Sequence, residues 1–376
     1  MFFVESVFFL SLFIIMYTYV LYPFLIFVLS KIFSRSVEKV DYTPNVTIVI
    51  VVYNGEELIS KKIDNCLTLD YPTDCLRILV VSDGSTDLTN NIVKQYLDSS
   101  VTLLAFPERR GKAACLNDAL DYVNDEYVIL NDARQELNKN AARELMRNFV
   151  DESVGAVSGE LMFFDEGRNE FSDGIGVYWR YEKFIRNTEA KIDSVVGVTG
   201  AIYALRKSCF THIPAGVILD DVLIPMNVVL NGKRVIFDSN ARAYDFPSVD
   251  PAKERQRKTR TTAGNYQLLF LAPELLNPMR NRVWLQFISH KVLRLLSPLF
   301  LFFAFVSNGI LAINYNLYLV LFITQTLFYL MAAMGVQSPN FGRISIVKVT
   351  IAFCSLNWYA VLGGIEYYRN KNAHLW

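Results

Sequence analysis

An uncharged apolar run near the start of the sequence limits what this chain can fold into. Residues 7–30 are rich in Phe, Leu, Ile and Val and contain no charged side chain. About 20 consecutive apolar residues are enough to span the hydrocarbon core of a bilayer as a helix. The run is longer than the apolar part of a signal peptide, and neither a basic segment before it nor a small-residue cleavage site after it is present. We therefore predict a transmembrane helix over residues 1–32.

Three more apolar stretches lie near the other end of the sequence, at about 295–313, 317–335 and 344–365. Short links separate them, which predicts three further transmembrane helices over residues 295–370. Lys31, Arg35 and Lys39 directly follow the first span, and basic residues next to a span favour the cytosolic side. We therefore expect a multi-pass integral protein of the cell membrane, with the middle of the chain in the cytosol.

The middle of the chain, residues 41–250, has the pattern of a single α/β domain. Residues 46–52 are all β-branched and predict a buried strand. Further strands are predicted at 78–81, 101–105 and 127–131, with helices near 56–67, 88–97 and 113–123. Strands that alternate with helices of this length indicate βαβ units and a parallel sheet.

Two of the predicted strands end in an acidic residue. One apolar run closes at Asp83 and another at Asp132. A single aspartate at a strand end is usually a turn or helix-cap residue. In open parallel sheets, however, ligands bind outside the carboxyl ends of the strands, so two acidic strand ends predict one shared site.

Composition excludes several classes of function. Lys plus Arg and Asp plus Glu both number 37, so net charge gives no reason to expect nucleic acid as a partner. The five cysteines are scattered, without zinc spacing or a disulfide framework. The sequence contains three histidines, so chemistry that depends on a histidine base or a histidine cluster is not expected. Residues 251–294 mix basic and bulky apolar residues, which predicts amphipathic helices in the membrane interface; a solvated helix pair is the alternative.

Six short segments in the α/β region carry a family resemblance. They are residues 52–57 (VYNGEE), 81–87 (VSDGSTD), 110–117 (RGKAACLN), 131–134 (NDAR), 198–206 (VTGAIYALR) and 219–221 (LDD). In this order they resemble the family 2 glycosyltransferases, which have the GT-A fold. The membrane-embedded branch with chitooligosaccharide, hyaluronan, poly-N-acetylglucosamine and cellulose synthases is the most similar. That branch often has Ser-His-Lys before its first C-terminal span, and residues 289–291 have this sequence.

The resemblance implies an α/β GT-A domain, of the nucleotide-diphospho-sugar transferase kind, that binds a UDP-sugar donor. Four of the residues it assigns to the donor are Tyr53, Glu56, Asp83 and Lys112. Asp83 corresponds to the acidic turn that lies against the uridine. Lys112 follows a glycine and can approach the diphosphate as a point charge; an ordinary solvated lysine in the first turn of a helix is the alternative.

Asp132 matches the first acid of the family's Asp-x-Asp motif, which binds Mg²⁺ or Mn²⁺ through oxygen ligands. Arg134 stands where the motif has its second acid. With one carboxylate fewer, the metal needs more phosphate and water ligands. Alternatively, Arg134 offsets the phosphate charge itself.

The resemblance also assigns the chemistry. Asp221 is implied as the general base that deprotonates the acceptor hydroxyl, and Asp220 as its supporting residue near the acceptor. The acceptor loop is implied to be Thr199, Gly200 and Ala201. Further along, Arg257 and Arg260 match the two basic residues of a segment that contacts the donor diphosphate. The tryptophan that completes this segment in processive synthases is replaced by Thr261, which predicts products of limited length.

Together these inferences predict an inverting membrane glycosyltransferase. It would use a cytosolic UDP-sugar to extend a polysaccharide or another glycan held at the membrane. One alternative is the transfer of one or a few sugars to a lipid-linked acceptor. Another, suggested only by Arg134, is a nucleotide-sugar-binding pseudoenzyme subunit. A transporter does not fit, because most charges and all six segments lie in one block of the sequence.

Overall fold

The computed structural model describes residues 1–98, 100–163, 173–245 and 251–370. The predicted end of the α/β domain at residue 250 lies outside the described residues. The helices are α1 Phe2–Ile32, α2 Ile59–Leu67, α3 Thr89–Lys94, α4 Lys112–Tyr122, α5 Ala141–Met146, α6 Asp173–Ile192, α7 Asp220–Leu230, α8 Pro251–Leu271, α9 Trp284–Ala312, α10 Asn316–Gln337, α11 Pro339–Gly342 and α12 Ser345–Arg369.

Within the described ranges, eight strands form one mixed sheet in the order β3-β2-β1-β4-β7-β6-β8-β5. They are β1 Val46–Val52, β2 Leu76–Asp83, β3 Val101–Phe106, β4 Tyr127–Leu130, β5 Glu136–Leu137, β6 Val154–Phe163, β7 Tyr203–Arg206 and β8 Arg234–Asp245. The first four strands are parallel, as the βαβ pattern predicts. Beyond β4, strand β7 runs antiparallel to both its neighbours, and β6 and β8 pair in parallel.

The sheet is covered on both faces, and its central strands are therefore apolar on both sides. Every residue of β1 is buried. Val49 and Val51 pack into the cluster that includes α4 and α7, whereas Ile48 and Ile50 pack into the cluster under α2 and α5. This double burial explains why β1 is a continuous β-branched run in the sequence. It also leaves only the strand ends free to carry polar groups.

In the described part of the chain, four helices are long and apolar enough to cross a membrane: α1, α9, α10 and α12. They correspond to the one N-terminal and three C-terminal spans predicted from the sequence. The helix of the second span begins at Trp284, ahead of the predicted start near residue 295, so residues 284–294 continue directly into the span. Helix α8 packs along α12, where Gly363 lies against Thr262.

Helices α1 and α9 meet at two π-helical turns, Tyr17–Leu21 and Ile288–Val292. The Tyr17 hydroxyl and the Ser289 hydroxyl lie 2.9 Å apart there. π-Helical turns are rare and frequently occur at functional sites. This contact joins the first span to the segment that enters the second.

Candidate active site

The carboxyl ends of β1, β2 and β4 meet at one edge of the sheet. Their parallel registers pair Val52 with Ser82 and Val49 with Leu130. The loops after these strands carry Tyr53, Asp83 and Asp132 and therefore face the same space. The fold therefore brings the acidic ends of β2 and β4 to one edge of the sheet, as the sequence predicts.

Asp83 anchors the loop that leads into α4. It is almost fully buried, and its two carboxylate oxygens accept hydrogen bonds from the backbone amides of Arg110 at 2.7 Å and Gly111 at 2.9 Å. Gly84 has φ +68°, and a Cβ there would lie 2.5 Å from the backbone nitrogen of Arg109, so only glycine fits. A contact of Asp83 with the base or ribose stays a prediction.

Tyr53 and Glu56 shape the neighbouring wall of the site. The Arg109 guanidinium lies over the Tyr53 ring, 3.9 Å from its centroid. The Glu56 carboxylate accepts a hydrogen bond from the backbone amide of Leu88 at 2.9 Å, just ahead of α3. Glu56 thus ties the loop after β1 to the acidic turn after β2. A direct contact of Glu56 with a nucleotide stays a prediction.

Lys112 connects the two groups of acids. Its ammonium lies 2.9 Å from Asp132 Oδ1 and 3.1 Å from Asp220 Oδ2. Burial opposes the charge of this lysine, but Asp132 and Asp220 outweigh that effect and raise its pKa. Lys112 is therefore not the ordinary solvated lysine of the alternative interpretation. It is a permanent cation held between the end of β4 and the start of α7.

Asp220 and Asp221 form the first turn of α7, where the helix dipole favours negative charge. Asp220 is buried and paired with Lys112. Among the described residues, the Asp221 carboxylate has no hydrogen-bond or ion-pair partner. Burial and the charge of Asp220 raise the pKa of Asp221 to about 6, although Lys112 and Lys291 pull it down. A carboxylate with free lone pairs and a pKa near neutrality suits a general base.

The predicted acceptor loop lies against Asp221. A Cβ added to Gly200 would be 3.2 Å from Asp221 Oδ2, and the backbone amide of Val198 donates a 2.8 Å hydrogen bond to the Asp221 carbonyl. Thr199 is buried, and its hydroxyl accepts a 2.7 Å hydrogen bond from Arg186. The Ala201 carbonyl accepts a hydrogen bond from the Asn131 side chain. The loop is thus fixed on both sides.

The structure separates the two arginines assigned to the diphosphate. Arg260, on α8, is close enough to feel the charges of Asp220, Asp221 and Asp132, although burial lowers its pKa overall. Arg257 forms two 2.9 Å hydrogen bonds to Glu254 one turn earlier on the same helix. Arg260 therefore lies within electrostatic range of the acids, and Arg257 pairs with Glu254 at the surface of α8.

Arg134 points to a different partner than the sequence suggested. Its guanidinium forms an ion pair with Asp245 at the end of β8, and the Gln135 amide donates a 3.0 Å hydrogen bond to the same carboxylate oxygen. Asp245 is almost fully buried. Arg134 therefore neutralises a buried acid of the fold, which is the reason we give for an arginine at this position of the motif.

Changing Arg134 to Asp, which restores the Asp-x-Asp pattern, should destabilise the protein. The new carboxylate would face the buried Asp245, and because Arg134 is half exposed we expect a loss of about 2 kcal/mol rather than the larger cost of a fully buried pair. Thermal unfolding in detergent should show a Tm lower by roughly 4–8 °C. Arg134→Lys is the matched control and should lose less. An unchanged or higher Tm for Arg134→Asp would contradict the assignment.

Lys291 lies close to Asp221, although the sequence analysis assigns it no role. Its ammonium lies on the acceptor side of Asp221, where a Cβ added to Gly197 would be 3.6 Å from it, and its charge lowers the pKa of Asp221. Lys291 belongs to the Ser-His-Lys segment before the second span. That segment was the available signal, but nothing in it showed that the lysine returns to the catalytic acids.

A buried polar network holds Lys291 in place. The His290 ring nitrogens lie 2.9 Å from Glu189 and 3.0 Å from Glu182, two acids of α6. Tyr22 of α1 donates a 2.6 Å hydrogen bond to Glu189, and Arg294 pairs with Glu182. Burial acts against the charge of Glu182, but Arg294 and His290 keep its pKa well below the ordinary value. The network fastens α1 and α9 to the α/β domain beside the acids.

Comparison with known proteins identifies the domain. Residues 47–213 match the family described as Glycosyl transferase family 2. The chain is 23% identical over 218 residues to the poly-beta-1,6-N-acetyl-D-glucosamine synthase of Staphylococcus aureus (strain COL), covering 55% of this chain and 51% of that protein. It is 24% identical over 335 residues to the probable glycosyltransferase YdaM of Bacillus subtilis (strain 168), covering 83% and 76%. The chain thus spans about half the length of the first of these relatives.

A solved structure shows the same fold over nearly the whole chain. It is the mannosyltransferase PcManGT from Pyrobaculum calidifontis, in complex with GDP-Man and Mn²⁺, with a TM-score of 0.72. The identity is 20%, and the likeness covers 98% of this chain and 99% of that one. The predicted GT-A fold is confirmed.

Proposed function

We propose, from the premise that residues 47–213 form a family 2 glycosyltransferase domain, that this protein transfers a sugar with inversion from a nucleotide sugar to an acceptor at the membrane. The family resemblance inferred from the sequence is confirmed by that match. The observation that carries the finer proposal is the Asp221 carboxylate, which has no hydrogen-bond or ion-pair partner among the described residues and lies against Gly200 of the acceptor loop. Lys112, held between Asp132 and Asp220, and Arg260, whose charge interacts with the same acids, support a site for the donor diphosphate.

The proposed reaction is a single displacement. An acceptor hydroxyl attacks C1 of the donor sugar from the face opposite the diphosphate, and its proton passes to Asp221. The bond between C1 and the phosphate oxygen breaks, and the nucleoside diphosphate leaves with the electron pair. Lys112 and Arg260 stabilise the negative charge that develops on the leaving group. The product carries the opposite anomeric configuration to the donor.

Asp132 fits a role in holding a divalent cation together with the donor. The described residues contain no group of three or more histidine, cysteine or acidic side chains that could bind a metal ion by themselves. The Asp132 side chain is 40% exposed, and Lys112 contacts only its Oδ1 oxygen. Mg²⁺ is commonly bound by one or two carboxylates plus substrate phosphates. Such an ion, Mg²⁺ or Mn²⁺, would supply further charge stabilisation to the leaving diphosphate.

Metal binding is therefore expected to depend on the nucleotide. Mn²⁺ should bind the protein weakly alone and at least tenfold more tightly with UDP present, because the phosphates supply the missing oxygen ligands. Electron paramagnetic resonance of free Mn²⁺ measures this directly. EDTA should stop turnover, and Mn²⁺ or Mg²⁺ should restore it. Asp132→Asn should lose the nucleotide-dependent binding, with Asp121→Asn as the control; full activity in EDTA would contradict the proposal.

The same residues argue against a pseudoenzyme subunit. That alternative depended on Arg134, whose side chain is explained by its ion pair with Asp245. The carboxylates of Asp132 and Asp221 and the ammonium of Lys112 all face one space. We therefore propose that the protein is a catalytically active glycosyltransferase.

The four apolar helices support an enzyme inserted in the membrane. Lys31, Arg35 and Lys39 favour the cytosolic side for the α/β domain and hence a cytosolic donor. The acceptor would then reach Asp221 from the side of the membrane helices, where Lys291 lies. A growing glycan and a lipid-linked glycan both satisfy this arrangement.

The test is to incubate the purified protein in lipid with a panel of UDP-sugars and GDP-mannose. Release of the nucleoside diphosphate identifies the donor, labelled product gives the acceptor class and size, and proton NMR of the new linkage gives its configuration. A single preferred UDP-sugar and inverted linkage are expected. Release from GDP-mannose alone would overturn the UDP preference, and retained configuration would overturn the single displacement.

A further inference from the structure

A cavity of about 230 Å³ lies beside the acceptor loop, and Thr199 of that loop is one of its lining residues. Helix α6 forms one wall with Trp179, Lys183 and Arg186, and strand β6 forms another with Glu160 and Met162. All of these residues belong to the described part of the chain.

The cavity opens next to the proposed base. Thr199, which lines it, precedes Gly200, and Gly200 lies against the Asp221 carboxylate. The Arg186 guanidinium holds the Thr199 hydroxyl at 2.7 Å from inside the cavity. Gly200, the residue that follows Thr199, therefore separates the cavity lining from the Asp221 carboxylate.

The lining has the chemistry of a sugar site. Trp179 offers an aromatic surface, and its ring is set against Phe163 with centroids 5.4 Å apart. The Lys183 ammonium pairs with Glu160 at 2.7 Å, so charged donors and acceptors face the same space. A sugar ring needs both features, because it has apolar C–H faces and hydroxyls around its edge. The lining therefore combines apolar and aromatic side chains with several charged ones.

The volume and the charged lining of the cavity restrict the kind of ligand that it can bind. Pockets for drug-sized ligands measure about 300–1,000 Å³, so this cavity suits one sugar ring rather than an oligosaccharide or a nucleotide. A lipid tail is disfavoured because Glu160, Lys183 and Arg186 line the space. The other aromatics near the acids are not available: Tyr203 is buried in the core, and Tyr266 packs against Gly364 of α12.

We propose that this cavity binds the terminal sugar of the acceptor, with Trp179 as its stacking platform and Arg186 as the group that positions its edge near Asp221. The proposal rests on the proposed function and names the acceptor subsite of that reaction. Trp179 takes the stacking role of the tryptophan that Thr261 replaces in this sequence. The Thr261 hydroxyl donates a 3.0 Å hydrogen bond to the Arg257 carbonyl.

The probe is a set of p-nitrophenyl glycosides of glucose, galactose, mannose and N-acetylglucosamine, each offered with the preferred donor. The wild type should glycosylate at least one of them. Trp179→Ala should raise the KM for that glycoside by at least tenfold, because it removes the stacking surface, whereas Trp179→Phe keeps an aromatic face and should stay within about threefold. Phe184→Ala, an exposed aromatic on the same helix, is the matched control and should also stay within about threefold.

Donor hydrolysis to water separates the two proposals. It should be the same in the wild type and in Trp179→Ala, since the donor does not touch the cavity, and this also shows that the variant is folded. No release from any donor in the wild type would overturn the proposed function. Transfer with an unchanged KM in Trp179→Ala would overturn the acceptor subsite alone. So would a wild type that hydrolyses its donor but glycosylates none of the single sugars.

Discussion

Replacing Asp221 with asparagine is expected to lower turnover by about 10²–10⁴-fold, the usual contribution of a general base. Asparagine keeps the shape of the side chain but cannot accept the proton of the acceptor hydroxyl. Donor binding should remain within about threefold, because Lys112 and Arg260 are untouched. Stopped assays of nucleoside diphosphate release, together with UDP titration, measure the two quantities separately. Asp121→Asn, at an exposed carboxylate of the same domain, is the control.

The pH profile separates loss of a base from loss of structure. The wild-type rate should fall through a pKa of about 6 and then drop tenfold for each pH unit below it, whereas Asp221→Asn should lack this limb. The stability of the Asp221→Asn variant should also change in a defined direction. The folded-state pKa of Asp221 lies above its unfolded value, so ionisation at pH 7 destabilises the fold. The variant should therefore have an equal or higher Tm at pH 7; turnover within threefold of wild type would end the assignment.

The parallel half of the fold could be predicted from the sequence because its signals are local. A β-branched run must be buried on both faces, and β1 is. The acids after β2 and β4 had to share an edge once the strands were parallel neighbours of β1. The four apolar helices were equally predictable from composition, since their length is fixed by the bilayer.

The antiparallel half and several contacts of the site could not be predicted in the same way. The choice between Arg257 and Arg260 depends on Glu254, which captures the first arginine on the surface of α8. The partner of Arg134 lies 111 residues away at the end of β8, and only the assembled sheet brings the two together. In both cases the pairing depends on charges that are distant in the sequence or that compete for one partner. The local sequence does not specify which pair forms.

The sequence of helix α6 contains a partial signal of its contacts. Glu182, Arg186 and Glu189 are spaced by four and three residues and therefore lie along one face of a helix. The structure shows that this face meets the His290 segment and the Thr199 loop. The spacing alone indicates a polar stripe. Which element covers the stripe is decided by how α6 packs between β6 and the membrane helices.

Replacing Lys112 with methionine should have the second large effect, a loss of roughly 10²-fold in kcat/KM for the donor at pH 7, as is typical when one preorganised charge-stabilising group is removed. The ammonium lies between Asp132 and Asp220. Methionine fills the space but leaves these acids and Asp221 without their shared cation. The donor diphosphate would then meet three carboxylates with less positive charge between them, so both donor binding and departure of the leaving group should suffer.

The pH profile of Lys112→Met tests whether this lysine acts on the base or only on the fold. In the wild type its charge lowers the pKa of Asp221. Without it the pKa of Asp221 must rise, and the acid limb of the rate should move from about pH 6 to higher pH. Lys112→Arg should restore the limb towards its original position, and Lys94→Met, at an exposed lysine, should leave it unchanged. A lysine that only stabilises the domain would lower Tm without moving the limb, and that result would remove Lys112 from the catalytic group.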